Sequence, residues 1–116
     1  MRSLKERKDD AYLSDMLVAC TTIVDRTRKR RLTDLASDGE FRDGVVLQLI
    51  MLGEAASHLS DEARKRYPGM AWREVIGLRD LLVHRYWVVD HLKIWEYARE
   101  DVPALLHALS EKHHDK

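Results

Sequence analysis

Asp38-Gly39-Glu40-Phe41-Arg42-Asp43-Gly44-Val45-Val46-Leu47-Gln48-Leu49-Ile50-Met51-Leu52-Gly53-Glu54-Ala55-Ala56-Ser57-His58-Leu59 is the stretch from which the fold can be read. Phe41, Val45, Leu49, Leu52, Ala56 and Leu59 recur at intervals of three and four, which is the repeat of one helix face and not the alternation of a strand. Asp38 stands where a side-chain oxygen caps the first free backbone N–H groups. From Val45 to Leu52 the segment is apolar on several sides, which suits a helix buried in a bundle or used between subunits. Gln48 interrupts this run, and it falls far short of the roughly 20 residues that cross a bilayer. Gly53, Ala55 and Ala56 leave room for a neighbouring helix to approach, although glycine costs helix propensity.

The same spacing extends in both directions. A first helix is expected from Ser3, a candidate cap, with Leu4, Ala11, Leu13, Leu17, Val18, Cys20, Thr21 and Val24 on its inner stripe, fading in the basic run Arg26–Arg31. Residues 32–38 read as a short turn. Ser60-Asp61-Glu62 opens a short helix that stops before the turn dipeptide Pro68-Gly69. Another helix starts near Trp72 and carries Val75, Ile76, Leu78, Leu81 and Leu82. The last starts near Asp90, carries Leu92, Trp95, Leu105, Leu106 and Leu109, and contains Pro103, for which a kink or a break recapped by Asp101 is expected. These segments predict an all-α fold, a four- to five-helix up-down bundle. At 116 residues, 45% of them apolar, one domain over 1–116 is expected, with a polar tail from about residue 111.

The formal net charge is zero, yet residues 1–31 are basic and the remainder acidic. A neutral total argues against broad nucleic-acid binding, so any such contact must come from a local patch or from oligomer geometry. The run Arg26-Thr27-Arg28-Lys29-Arg30-Arg31 is the one candidate, offering Arg26, Arg28, Lys29, Arg30 and Arg31 to an RNA backbone or a partner. Cations at a helix C-terminus are also favourable in their own right. The single cysteine, Cys20, can form no internal disulfide and reads as core packing. The start of the chain has no apolar stretch followed by small residues, so a cytoplasmic protein with no membrane partner is expected. Trp72 and Trp95 read as core or interface aromatics, and His58, His91 and His107 are assigned no chemistry.

The segment that carries chemistry is Gly77-Leu78-Arg79-Asp80-Leu81-Leu82-Val83-His84-Arg85-Tyr86-Trp87, where Arg, His and Tyr meet in an apolar setting. It resembles the HEPN superfamily and, within it, HepT-like toxins, whose Arg-x4-His-x-Tyr motif is matched by Arg79, His84 and Tyr86. Leu52-Gly53-Glu54-Ala55-Ala56, Pro68-Gly69-Met70-Ala71-Trp72, Gly77-Leu78-Arg79 and Asp101-Val102-Pro103 follow in the family's order. The resemblance implies a homodimeric ribonuclease toxin that often acts on tRNA, paired in a type VII-like system with a minimal nucleotidyltransferase antitoxin (MntA-like). That antitoxin silences the toxin by attaching AMP to the motif tyrosine, here Tyr86. Asp80 stands where the family often has Asn. No cofactor and no metal is implied.

The residues suit metal-independent cleavage, in which the 2′-hydroxyl attacks the adjacent phosphorus. Arg79 offers a permanent charge to a phosphorane, and His84 is the side-chain type suited to proton transfer. One imidazole cannot easily be acid and base in a single step, so two copies facing each other would supply what one lacks. Arg79 and Tyr86 are seven apart and share a helix face, whereas His84 is rotated from Arg79 by roughly 140°. For the two to converge, the helix must end or loosen near Val83–His84, or the arginine must reach around. Asp80 could repel phosphate, hold Arg79 or orient His84. Glu54 could partner Arg79 or face solvent. Two other functions fit the same residues: a non-catalytic HEPN module that binds a nucleotide or a partner, and a structural helical dimer in which Arg79 and His84 serve packing.

Overall fold

The computed structural model describes residues 2–114, which form helices joined by short turns, with no strand among them. Helix α1 (Leu4–Thr27) opens on a capping box: the Glu6 N–H donates to Ser3 Oγ at 3.1 Å, and the Ser3 N–H donates back to the Glu6 carboxylate at 3.4 Å. Its buried stripe is Leu13, Met16, Ala19, Cys20, Ile23 and Thr27. This corrects the expected stripe, because Leu4 and Val18 are 61% and 64% exposed and Ala11 and Thr21 also face outward. Residues 13, 16, 20, 23 and 27 keep the three-four phase of one face, and apolarity alone placed the others there. Burial pushes the Cys20 thiol up to about 12, in keeping with a core cysteine.

Residues expected to be only a turn contain a single helical turn, α2 (Asp34–Ser37), which sinks Leu35 out of solvent. Helix α3 (Gly39–Ser57) starts as predicted, with the Phe41 N–H donating to Asp38 at 3.1 Å. Phe41, Val45, Leu49, Leu52 and Ala56 are buried along it, and Leu59 is buried just past its end. In the short α4 (Asp61–Lys65), the Ala63 N–H donates to Ser60 Oγ at 3.1 Å. The backbone N–H and hydroxyl of Ser60 donate to the buried Asp9 at 2.9 and 2.5 Å. The start of α1 therefore meets the end of α3, while Arg30 at the far end of α1 reaches Asp38 at 2.7 Å. These two ties make α1 and α3 antiparallel.

After the Pro68-Gly69 turn comes α5 (Trp72–His84), then a 3-10 turn over Tyr86–Val88 and α6 (His91–Glu96), whose Leu92 N–H donates to Asp90 at 2.8 Å. The chain then passes through a π-helical turn, Tyr97–Asp101, into α7 (Val102–His114) without breaking. The expected break at Pro103 and recapping by Asp101 are therefore corrected. Proline would crowd the carbonyl four residues back and has no N–H to donate to it. The π turn, in which the Val102 N–H reaches the Tyr97 carbonyl, widens the helix at that point. Asp101 lies inside the turn and caps nothing. The polar tail expected from residue 111 begins within α7, and Asp115 and Lys116 lie outside the described residues.

Four long rods result: α1, α3, α5 and the continuous α6–π–α7. Helix α3 lies between α1 and α5, and α7 packs on α1. Arg99 in the π turn closes the end of α1 by donating to the Thr27 carbonyl at 2.9 Å. Among the described residues, no helix is long and apolar enough to cross a membrane.

Candidate active site

The site is set by the place where α3 and α5 come closest. A Cβ added to Gly53 would overlap the Arg79 Cβ, lie 2.9 Å from its Cγ, and approach the Val75 carbonyl oxygen to 3.0 Å. Only glycine allows this approach, and its cost in helix propensity is offset by the contact. Arg79 thus leaves α5 across the bare backbone of α3. Trp72 and Arg79 on α5 are seven apart, near two full helical turns, whereas Tyr86 lies past the helix end, so the spacing of seven does not put it on the Arg79 face. Each of the three has one buried polar atom with no partner among the described residues: Trp72 Nε1, Arg79 Nε and Tyr86 Oη.

With Nε buried, the two terminal nitrogens of Arg79 carry its chemistry. Nη2 donates to Glu54 Oε2, and Nη1 donates to Asp80 Oδ1 at 2.6 Å. Asp80 first and Glu54 second hold the guanidinium above its ordinary range. The two possibilities left open for Glu54 both hold in part: it partners Arg79, yet its side chain is 46% exposed and not buried. Its other oxygen, Oε1, lies 3.0 Å from His58 Nε2, and His58 and then Arg79 hold the Glu54 carboxyl below its usual value. The His58 ring is stacked on Tyr12 of α1, with centroids 5.1 Å apart and planes at 20°. His58, assigned no chemistry from sequence, is the residue of this site that was missed. The available signal was its spacing from Glu54, four residues on the same face.

Helix α5 ends at His84 and the backbone turns out of helical geometry only at Arg85 (φ −143, ψ 43), one residue too late to bring His84 round to Arg79. His84 is itself still helical, so its offset from Arg79 persists. Among the described residues no hydrogen bond or ion pair joins the two. His84 is exposed at the helix end, and several apolar residues near it in sequence are exposed too: Val83 (46%), Trp87 (80%), Val88 (58%) and Leu92 (46%). Tyr86 is half-buried in the 3-10 turn, with its hydroxyl directed inward.

The basic run lies elsewhere. Arg28 is paired with Asp25 at 3.0 Å, and Arg30 with Asp38 and Asp34 at 2.7 and 3.2 Å. The Arg30 guanidinium also sits 4.0 Å from the Phe41 ring centroid, and Arg26 packs over Gly44. Phe41 and Gly53 are separated by twelve residues of α3, roughly 18 Å along its axis. Arg26, Arg28, Lys29, Arg30 and Arg31 therefore stand at the opposite end of α3 from Arg79. No group of three or more His, Cys, Asp or Glu side chains among the described residues is placed to hold a metal ion.

Comparison with known proteins agrees with the family resemblance. A family model described as Ribonuclease HepT-like matches residues 16–111. A protein of Thermococcus cleftensis named "Probable ribonuclease HepT" is 31% identical over 100 residues, covering 86% of this chain and 91% of that protein. A candidate RNase of Methanocaldococcus jannaschii is 28% identical over 102 residues (88% and 94%), and one of Caldanaerobacter subterraneus is 31% identical over 94 residues (81% and 84%). No solved structure matches the chain.

Proposed function

The chain belongs to the HepT-like ribonuclease family of the HEPN superfamily, and on that footing we propose that it is a metal-independent endoribonuclease, the toxin of a toxin–antitoxin pair, with tRNA as its substrate class. The observation that carries this reading is a guanidinium held at the α3–α5 seam by the same helix whose end carries His84, exposed and without a hydrogen-bond or ion-pair partner among the described residues. In the reaction the 2′-oxygen bonds to phosphorus and the 5′-oxygen leaves. Arg79 stabilises the charge of the phosphorane. One His84 takes the 2′-hydroxyl proton and a second gives a proton to the departing oxygen.

The second imidazole comes from a second copy. Homodimerisation is supported by the apolar surface exposed around His84, since pairing there would cover Val83, Trp87, Val88 and Leu92 while bringing two motif segments face to face. Contacts from Arg26, Lys29 and Arg31 to RNA would require a substrate that spans the length of α3.

Control by a minimal nucleotidyltransferase that attaches AMP to Tyr86 fits the chemistry of a phenol next to a cationic phosphate seat, because a bulky anion there blocks it by volume and by charge. With Tyr86 Oη buried, the transfer requires the 3-10 turn to open. Two backbone bonds hold that turn, Val88 N–H to the Arg85 carbonyl at 2.9 Å and Val89 N–H to the Tyr86 carbonyl at 3.1 Å.

A non-catalytic binding module is the second reading, favoured by the two carboxylates that already occupy Arg79. Incubating purified protein with total tRNA in excess EDTA separates the two. Wild type is expected to cut, and Arg79→Ala and His84→Ala to cut at least about 100-fold more slowly. An unmodified wild type that binds tRNA and leaves it intact would establish the module instead.

A further inference from the structure

We propose that the two carboxylates on Arg79 have opposite tasks: Glu54 is a positioning residue that fixes the guanidinium, and Asp80 is a displaceable latch in the place that a substrate phosphate takes. The proposal rests on the ribonuclease reading above. The two contacts are alike in chemistry and unlike in anchorage. Glu54 is held through both oxygens, one on Arg79 Nη2 and the other 3.0 Å from His58, and the His58 ring is in turn stacked on Tyr12. The chain Tyr12–His58–Glu54–Arg79 therefore ties α1, the end of α3 and α5 together around one guanidinium. Glu54 also follows Gly53, the residue that admits the Arg79 stem, so the seat and the clamp are adjacent on one backbone.

Asp80 has none of this support. It is on α5 beside Arg79, and although its side chain is about as exposed as that of Glu54 (52% against 46%), its bond to Nη1 is its one hydrogen bond among the described residues. Rotation about its own side-chain bonds frees it without moving another group. A phosphate must find donors on Arg79, and Nε is buried, so it can only use the terminal nitrogens. Displacing Glu54 would break the chain to α1, whereas displacing Asp80 breaks one exposed contact. Once released, Asp80 lies one helical turn before His84, which has no partner of its own among the described residues.

The test uses the full-length protein in two arms. Nitrogen-15 relaxation of the Arg79 Nε–H reads the order of the side chain without any RNA. Glu54→Gln is expected to drop its order parameter towards the flexible range, below about 0.6, and Asp80→Asn to leave it unchanged. In the second arm, with total tRNA as the probe, Glu54→Gln is expected to lower kcat roughly 10- to 100-fold with little change in KM. Asp80→Asn, placed in a His84→Ala background so that the RNA stays whole, is expected to tighten tRNA binding roughly 3- to 10-fold. Should Glu54→Gln melt early, His58→Ala removes the anchor without touching Arg79 and is expected to shift the order in the same direction by less. Equal effects of the Glu54 and Asp80 substitutions, or an Arg79 that stays ordered without Glu54, would overturn the proposal. Absence of cleavage by wild type together with the predicted relaxation pattern would sink the ribonuclease reading and leave the Glu54 assignment standing.

Discussion

Replacing Gly53 with alanine should damage the site more than the fold. The added Cβ would overlap Arg79 Cβ and sit 2.9 Å from its Cγ and 3.0 Å from the Val75 carbonyl oxygen. Non-bonded carbons rest at ~3.5–4.0 Å, so α5 must retreat from α3 by roughly 1–2 Å at this point. Two terms then oppose each other. Overpacking a close helix contact costs about 1–3 kcal/mol, and alanine regains about 1 kcal/mol of helix propensity over glycine. The net is a loss of roughly 0–2 kcal/mol, a fall in melting temperature of about 10 °C at most for a chain of this size. Activity is far more sensitive, because moving a charge-stabilising group by about 1 Å can cost about 100-fold. Thermal unfolding followed by circular dichroism, with tRNA cleavage on the same preparation, checks both. A Gly53→Ala protein that melts above wild type and cuts RNA at the wild-type rate would refute the idea that this contact sets Arg79, since helix propensity alone predicts that result.

Three further outcomes follow from individual groups. Tyr86→Phe removes a buried hydroxyl that has no hydrogen-bond partner among the described residues, so it should leave stability unchanged or raise it by up to about 1 kcal/mol, and mass spectrometry after incubation with the cognate nucleotidyltransferase and ATP should find no added AMP. The Glu54 carboxyl is held below its ordinary 4.5 by His58 and Arg79, so what it contributes to holding Arg79 is complete above that value and is lost as pH falls through the lowered one; acid titration of the Arg79 Nε–H signal should show this limb in wild type and lose it in Glu54→Gln. Cys20, fully buried with its thiol pushed up to about 12, should react with a thiol reagent such as DTNB only at the rate of unfolding; rapid labelling of native protein would show that the core opens locally.

Helix content, the caps at Ser3 and Asp38 and the end of α5 near His84 were legible in the order of residues, because each depends on neighbours within one or two helical turns, which periodicity and capping chemistry report directly. The ribonuclease family was legible by another route, the resemblance of motifs spread from Leu52 to Pro103. Pro103 shows the limit of local reading. A break and a π turn both relieve the clash with the preceding carbonyl, and the choice fell to the burial of Tyr97, Ala98 and Val102, which a continuous helix preserves. The inner stripe of α1 shows it again, since Leu4 and Val18 are as apolar as Leu13 and differ only in what packs against them. The site itself was half visible. Arg79, His84 and Tyr86 stand in a motif, but nothing in their spacing says that Gly53 and Glu54, on another helix, receive the arginine, that His58 anchors Glu54, or that the Tyr86 hydroxyl points inward. Those facts arise where α3 meets α5 and α1, from contacts between residues distant in sequence, and only the tertiary structure could decide them.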